Sequence, residues 1–102
     1  MTLFDLTGKT AIITGATKGI GRAIASRMAE HGANVVISSR KADMCEEVAQ
    51  DINDNWAKNG GEAAPIACHI SHHDQLQGLV DKTVERFEGL DILVCNAAVN
   101  PF

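Results

Sequence analysis

The chain has 102 residues, a formal net charge of −4, and 45% hydrophobic against 22% charged residues, which is ordinary for one small soluble domain. The negative balance argues against a nucleic-acid partner, because no stripe of lysine and arginine is present to neutralise phosphates. No apolar run approaches the roughly 20 residues of a membrane span, and residues 1–6 lack the basic and apolar regions of a signal peptide. We therefore expect a cytoplasmic protein without a membrane partner.

Apolar runs alternate with amphipathic stretches along the first half of the chain. Four elements are predicted there, in the order strand, helix, strand, helix: Lys9–Thr14, Ile20–His31, Val35–Ile37 and Ala42 to about Lys58. Gly32 follows the first helix at the position of a C-cap glycine, and Asn59-Gly60-Gly61 ends the second helix.

The second half is predicted to hold a strand over Ala64–Cys68, a helix, and a strand over Ile92–Cys95. Pro65 places the first of these strands at a sheet edge, or marks its start. Ser71-His72-His73-Asp74 is typical of a capping box at a helix start, and Gly89 ends that helix. The helix carries an apolar stripe: Leu76, Leu79, Val80, Thr83, Val84 and Phe87.

The order β-α-β-α-β-α-β, with strands that are apolar throughout, indicates an α/β fold whose parallel sheet is covered on both faces. Right-handed crossovers favour a doubly wound sheet with strand order 3-2-1-4, the first two helices on one face and the third on the other. Ligands bind beyond the carboxyl ends of the strands where the winding reverses, here between the first and fourth strands. The segments Gly15–Gly21 and Asn96–Ala98 follow those two strands, so we expect them to meet at one crevice.

The segment from Thr14 to Gly21 lies at the predicted turn between the first strand and the first helix. Its glycines allow close approach of the backbone to a bulky group, and the first N–H groups of a helix are unpaired and partly positive. Such a helix start binds phosphate or pyrophosphate. The spacing is Gly-x-x-x-Gly-x-Gly, with Ile24 where the commoner fingerprint has a third small residue, so a plain turn is the alternative. The strand before it and the helix after it favour a nucleotide site.

Together, Thr14–Gly21 and Asn96–Ala98 resemble the amino-terminal part of a short-chain dehydrogenase/reductase. The opening Phe4–Lys9 and the phrase Gly89–Val94 also fit that family. The resemblance covers essentially the whole chain, but less than half of a typical member of roughly 250 residues. It implies a partial Rossmann-like fold, in which residues 1–102 form the N-terminal, apparently truncated part of a single dinucleotide-binding domain.

The resemblance also implies a cofactor site. The glycines would line the pyrophosphate, Thr14 would help to hold the turn, Ile20 would pack near the cofactor, and Asn96 would stabilise the fourth strand close to the ribose. An ordinary turn residue is the alternative interpretation of Asn96. The predicted cofactor-binding residues are Gly15, Thr17, Lys18, Gly19, Ile20, Gly21, Ser39, Arg40, His69, Ile70, Asn96, Ala97 and Ala98.

Charge at the end of the second strand favours NADP over NAD. An acidic residue there would hold the free ribose 2′-hydroxyl of NAD and repel a 2′-phosphate. This chain instead has the neutral Ser39, followed by Arg40 and Lys41, and Lys18 lies in the glycine loop. A guanidinium can bind a phosphate through two hydrogen bonds. The alternative is that Arg40 and Lys41 are merely solvated at a helix start.

The segment after the third strand departs from the family pattern. An Asp beside the adenine is usual there, whereas this chain has Cys68-His69-Ile70-Ser71. His69 could form a hydrogen bond with the base edge, and Ile70 could offer its backbone N–H. The adenine contact therefore stays open.

Cys68, His69, His72 and His73 are all metal-ligand types. Zinc needs four ligands in a tetrahedral array, and these four crowd one turn, so we predict no metal site and keep a metal-binding module only as a minor alternative. The cysteines, Cys45, Cys68 and Cys95, are odd in number and lack C-x-x-C spacing, which predicts reduced, buried thiols.

Catalytic residues are not assigned. The family uses a Tyr as acid/base with a Lys four residues on, and this chain contains no Tyr.

The resemblance implies that the chain is the NAD(P)-binding portion of an oxidoreductase that transfers hydride between NADP(H) and a carbonyl or alcohol. Ser38–Lys41 and Asn96–Phe102 are also similar to the carbonyl and retinal reductases of this family, which implies a substrate of that class. The alternative is a non-catalytic nucleotide-binding or assembly module made of half a Rossmann fold.

The fourth predicted strand, Ile92–Cys95, has no charge or proline, as expected of a strand inside a sheet rather than at its edge. We therefore expect either a fragment of a longer protein or a partner that covers this edge. For the full-length protein, the resemblance to the family implies a homo-oligomer.

Overall fold

The computed structural model describes residues 5–69 and 73–95, the side chain of His73 apart. The strands are β1 (Thr10–Thr14), β2 (Asn34–Ser38), β3 (Ala63–Pro65) and β4 (Ile92–Cys95). The helices are α1 (Gly19–Glu30), α2 (Ala42–Asn55) and α3 (His73–Phe87). The alternation of strands and helices agrees with the predicted order.

The sheet of the described residues is parallel throughout, with strand order β3-β2-β1-β4. Ile12 in the middle of β1 pairs with Val36 of β2 on one side and Leu93 of β4 on the other. The predicted order 3-2-1-4 is therefore confirmed. It puts the carboxyl ends of β1, β2 and β4 along one edge of the sheet.

Side chains alternate between two apolar layers, because successive residues of a strand point to opposite faces. On one face, sheet residues such as Ile13 and Ile37 pack with Ala29 of α1 and Ile52 of α2. On the other face, Ile12, Val36 and Cys68 pack with Leu79 of α3. The predicted placement of the helices, two on one face and one on the other, is confirmed.

Several element ends differ from the predicted ones. Helix α2 ends at Asn55 rather than about Lys58, because the N–H groups of Trp56 and Ala57 both donate to the Ile52 carbonyl at 2.8 Å and the chain turns away. Strand β3 is only three residues long and ends at Pro65. Its continuation still donates hydrogen bonds to the end of β2 through the N–H groups of residues 66 and 68.

The carboxyl end of α3 also differs. The left-handed residue is Glu88, with φ of +63°, one position before the expected Gly89. Its N–H donates to the Val84 carbonyl at 2.7 Å. Val84 itself is 43% exposed and does not belong to the buried stripe predicted for this helix. Ser71 and His72 of the predicted capping box lie outside the described residues.

Two glycines are required for different reasons. Gly32 has φ of +100°, as expected of a C-cap glycine. Gly61 has no such angle, but a Cβ built on it would lie 2.2 Å from the carbonyl oxygen of Ala33. That oxygen belongs to backbone leading directly into β2, so it cannot move without disturbing the sheet.

We expect Gly61→Ala to lower the free energy of unfolding by about 1–3 kcal/mol, because the added methyl group overlaps backbone. The matched control is Gly78→Ala in α3, where a Cβ meets nothing within 4 Å. That control should stabilise the protein by up to about 1 kcal/mol through helix propensity. Urea denaturation of both variants measures the contrast, and an unchanged stability of Gly61→Ala would contradict the close approach to Ala33.

Candidate functional site

The loop between β1 and α1 lies at the edge where the carboxyl ends of the strands meet. The Ala16 N–H donates to the Ser38 carbonyl at 3.2 Å, which attaches the loop to the end of β2. The Thr14 hydroxyl donates to the Val94 carbonyl at 3.4 Å, which attaches the end of β1 to β4. The glycine loop therefore begins at the carboxyl ends of three neighbouring strands, β1, β2 and β4.

The conformation of this loop depends on glycine. Gly15 has φ of +61° and Gly19 has φ of +53°, a region that residues with a Cβ rarely adopt. A Cβ on Gly19 would meet nothing within 4 Å, so Gly19 is required for its backbone angle and not for lack of space. Gly21 is buried in the first turn of α1. The two turns at 15 and 19 reverse the chain so that α1 starts at the strand tips.

The first turn of α1 is an uncompensated positive end of a helix dipole. Within the described part of the chain, no acceptor bonds the N–H groups of Gly19, Ile20 or Gly21, and the first helical bond runs from the Arg22 N–H to the Lys18 carbonyl at 3.3 Å. Lys18 makes no side-chain cap, and the first turn contains no acidic residue. Three amide donors of one helix end therefore face the same region, which is the arrangement that binds anions.

The residues between the glycines divide into two groups. Ala16 and Thr17 are buried and support the loop from below. Lys18 and Ile20 are exposed at its surface, and Ile20 is 72% exposed although it is a large apolar residue. A large apolar side chain therefore lies in solvent beside the start of α1.

The turn from β2 to α2 lies next to this loop. Ser39 is half-buried, and its Oγ accepts a hydrogen bond from the Lys41 N–H at 3.2 Å. Arg40 is exposed and forms no ion pair with any residue in the ranges 5–69 and 73–95. Its guanidinium is therefore available to a ligand.

Arg22 differs from Arg40, although it also lies near the start of α1. Its guanidinium contacts the Asp51 carboxylate at 3.0 Å. The hydrogen bond from Arg22, with a second one from Asn55, holds the pKa of Asp51 below its usual value. Arg22 is thus engaged with α2, which leaves Lys18, Arg40 and Lys41 as the unpaired cations that the described residues place near the site.

His69 lies where the chain leaves β3 toward α3. It is half-buried, and its backbone N–H donates to the Gln75 side chain at 2.8 Å. Of the other predicted cofactor-binding residues, Ile70, Asn96, Ala97 and Ala98 lie outside the described residues. The structure therefore brings together the glycine loop, Ser39 and Arg40.

The three cysteines are not alike. Cys45 is 1% and Cys68 5% exposed, as predicted, and burial raises the pKa of the Cys68 thiol although the Lys82 charge opposes the shift. Cys95 is exposed, so the prediction of three buried thiols is wrong for it. It shares with Leu93 the face of β4 that points away from α1 and α2, and Leu93 is 49% exposed. In the described ranges, no three His, Cys, Asp or Glu residues lie close enough to hold a metal ion.

The chain matches a known protein family over most of its length. The sequence profile of the short chain dehydrogenase family matches residues 9–102. The chain belongs to this family. It is thus an oxidoreductase-family chain with a Rossmann sheet, as the resemblance of its glycine loop predicted.

Relatives of the family illustrate the range of cofactors. The short-chain dehydrogenase/reductase SDRA of Arabidopsis thaliana is 43% identical over 96 residues, covering 94% of this chain and 36% of the relative. L-Sorbose reductase from Gluconobacter frateurii, solved with NADPH and L-sorbose, has a TM-score of 0.87 at 32% identity, covering 96% of this chain and 36% of that one. A 7α-hydroxysteroid dehydrogenase solved with NADH and 7-oxo glycochenodeoxycholic acid has a TM-score of 0.80 at 39% identity, covering 88% and 34%. The chain spans about a third of the length of these relatives.

A separate cleft of about 470 Å³ lies at the opposite end of the sheet, lined by Asp5, Thr7, Glu30, His31 and Asn59. Its polar groups are largely bonded to one another: Asp5 accepts hydrogen bonds from Thr7, and the Asn59 side chain donates to the Glu30 carbonyl. Because its lining residues lie at the amino ends of the strands, the cleft is remote from the glycine loop.

None of the helices in the described ranges is long and apolar enough to cross a membrane.

One buried group beside the site has no hydrogen-bond partner among the described residues. Ser38, at the end of β2, is fully buried, and its Oγ is unbonded there. A hydroxyl buried in this way costs about 1–3 kcal/mol. It points to the face of the sheet that α3 covers, since Val35 and Ile37 point to the other.

We expect Ser38→Ala to raise the free energy of unfolding by about 1 kcal/mol, because it removes an unsatisfied polar atom without opening a large cavity. Thermal and urea denaturation test this. A loss of stability of that size would show instead that the hydroxyl has a partner, and would contradict its assignment as an unsatisfied group.

Proposed function

We propose that this chain is the cofactor-binding part of an NADP-dependent oxidoreductase that transfers hydride between NADP(H) and a carbonyl or alcohol substrate. The observation that carries the proposal is the start of α1, at the carboxyl edge of a Rossmann sheet: three amide groups there have no partner among the described residues, and the first turn contains no acidic residue. Such an end is suited to the pyrophosphate of a dinucleotide. The relative solved with NADPH and L-sorbose supports the assignment.

The residues present fit a dinucleotide. Gly15 and the helix start at Gly19–Gly21 would line the pyrophosphate, over the buried Thr17. Lys18 would add a positive charge for the 2′-phosphate, and Ile20 would contact the cofactor through its exposed side chain. The resemblance to the family implies that Asn96 lies close to the ribose and that Ala97 and Ala98 allow close approach of the cofactor. His69 and Ile70 stand where the family has an Asp beside the adenine, and we propose them as the groups that face the base. When bound, the nicotinamide supplies or accepts the hydride.

NADP is proposed over NAD because of the turn after β2. A carboxylate at position 39 would repel a 2′-phosphate, and Ser39 carries none. Arg40 beside it is exposed and unpaired with respect to the described residues, so binding a phosphate would not cost it an existing ion pair. A phosphate dianion beside a guanidinium forms charge-assisted hydrogen bonds, which are stronger than those to a neutral hydroxyl.

Hydride transfer also needs a group that exchanges a proton with the substrate oxygen. The 102 residues contain no tyrosine, and we assign this step to no residue of the chain. We propose that residues 1–102 are the amino-terminal part of a longer protein, which acts in the cytoplasm on a small molecule and assembles as a homo-oligomer. A reading frame that continues into Tyr-x-x-x-Lys would support this, whereas one that stops after Phe102 would favour a nucleotide-binding or assembly module without catalysis.

The cofactor assignment predicts a selective effect of Arg40→Gln. In the protein expressed from its complete reading frame, this change should weaken NADPH binding by about 10- to 100-fold, the loss expected for hydrogen bonds to a charged group. NADH binding should stay the same, because NADH has no 2′-phosphate. Ser39→Asp should act in the same direction and improve NADH binding by placing an acceptor at the ribose hydroxyl.

The matched control is Arg27→Gln. Arg27 is also an exposed arginine, but it lies in the last turn of α1 and pairs with Glu30. The Arg27→Gln substitution should leave the affinities for NADPH and for NADH unchanged in calorimetric titrations. Equal affinity of the unmodified protein for NADPH and NADH would reject the 2′-phosphate argument.

A further inference from the structure

A buried thiol contacts the turn that carries Ser39 and Arg40. Cys45 lies in the first turn of α2 and is 1% exposed. Its Sγ is 3.3 Å from the Ser39 Oγ and 3.8 Å from the Ser39 carbonyl oxygen. The apolar periodicity of α2 places this residue in the core, but its sulfur also contacts the hydroxyl next to the proposed phosphate position.

The backbone of the turn is held on both sides. The Cys68 N–H donates to the Ser39 carbonyl at 2.9 Å, and the Cys45 N–H donates to the Lys41 carbonyl at 3.0 Å. The Ser39 backbone is thus attached to the segment that continues β3, and the end of the turn at Lys41 is attached to α2. The position of the Ser39 hydroxyl is then set by its own hydrogen bonds.

The hydrogen-bonding capacity of Ser39 limits that direction. A hydroxyl has two acceptor lone pairs and one hydrogen to donate. The Lys41 N–H occupies one lone pair at 3.2 Å, and the Cys45 thiol can occupy the other at 3.3 Å. Either group can donate in the contact between Ser39 and Cys45, and the thiol has a second, longer acceptor in the Ser39 carbonyl at 3.8 Å. When the thiol donates to the hydroxyl, the Lys41 carbonyl at 3.5 Å, the limit of a hydrogen bond, is the acceptor that the described residues leave for the hydroxyl hydrogen.

We propose that Cys45 is a positioning residue for cofactor specificity, which donates its thiol hydrogen to Ser39 so that the Ser39 hydroxyl acts as a donor to a phosphate. The proposal rests on the proposed function and extends it. A phosphate monoester offers only acceptor oxygens when it is dianionic, so a donor-only hydroxyl beside Arg40 complements it. A ribose 2′-hydroxyl, which both donates and accepts, gains less from this arrangement.

The test compares three substitutions in the protein expressed from its complete reading frame. Cys45→Val keeps an apolar side chain but removes the donor, and should weaken NADPH binding by about 2- to 10-fold, the range expected for one neutral hydrogen bond. NADH binding should not change measurably. Cys45→Ser retains a donor and should keep the ratio of NADPH to NADH affinity close to that of the unmodified protein.

Ile52→Val is the control for packing alone. Ile52 is fully buried on the same face of α2 and is not among the hydrogen-bond partners of Ser39 in the described ranges. It should lower the melting temperature without changing the affinity ratio. If it changes the ratio as much as Cys45→Val does, the effect of Cys45 is general destabilisation and the proposal fails.

A double-mutant cycle with Ser39→Ala isolates the contact. Because Cys45 acts through Ser39, Cys45→Val should have no further effect on NADPH binding when Ser39 is already Ala. Additive effects would overturn the proposal. An unmodified protein that binds both dinucleotides equally, or neither, would reject the proposed function itself, whereas an NADPH preference that survives Cys45→Val would reject only the role of Cys45.

Discussion

The amino end of α1 is the constraint on which the rest of the structure depends. Its first amide groups have no partner in the described residues, and two glycines in left-handed conformation turn the chain so that these groups face the carboxyl edge of the sheet. A capping carboxylate would satisfy such groups at little cost, yet the first turn contains none. The helix start is therefore stabilised most when an anion supplies the acceptors, which links folding of the loop to ligand binding.

The sheet places this helix start beside Ser39 and Arg40, the residues that we propose to distinguish NADP from NAD. Right-handed crossovers put β2 next to β1, and the Ala16 N–H bond to the Ser38 carbonyl attaches the glycine loop to the end of β2. Ser39 and Arg40 follow that end directly. A group bound at α1 is thus within the same region as a neutral hydroxyl and an available guanidinium. In the proposed function, the preference for NADP depends on this adjacency and on the contact of Cys45 with the turn at residues 39–41.

Much of this arrangement could be predicted from the sequence. Apolar runs of four to six residues, amphipathic stretches and glycine positions indicate which secondary-structure element forms and which of its faces is buried. The strand order followed from those signals and from crossover handedness. The same signals could not predict that Glu88 adopts the left-handed conformation at the end of α3, because the neighbouring Gly89 is the residue that usually does so. They could not predict the exposure of Cys95 or Val84, which depends on neighbours rather than on period. Cys45 was correctly predicted to be buried, but its contact with Ser39 arises from how α2 packs, which periodicity does not specify.

The most direct test of the central claim is a nuclear magnetic resonance titration of the isotopically labelled protein with NADPH, following the amide signals of Gly19, Ile20 and Gly21. If these amides bind the pyrophosphate, their resonances should shift together and saturate with the same dissociation constant that calorimetry gives. The amides in the middle of α1, such as that of Ala25, should shift much less. Saturable NADPH binding that leaves all three signals unmoved would contradict the account.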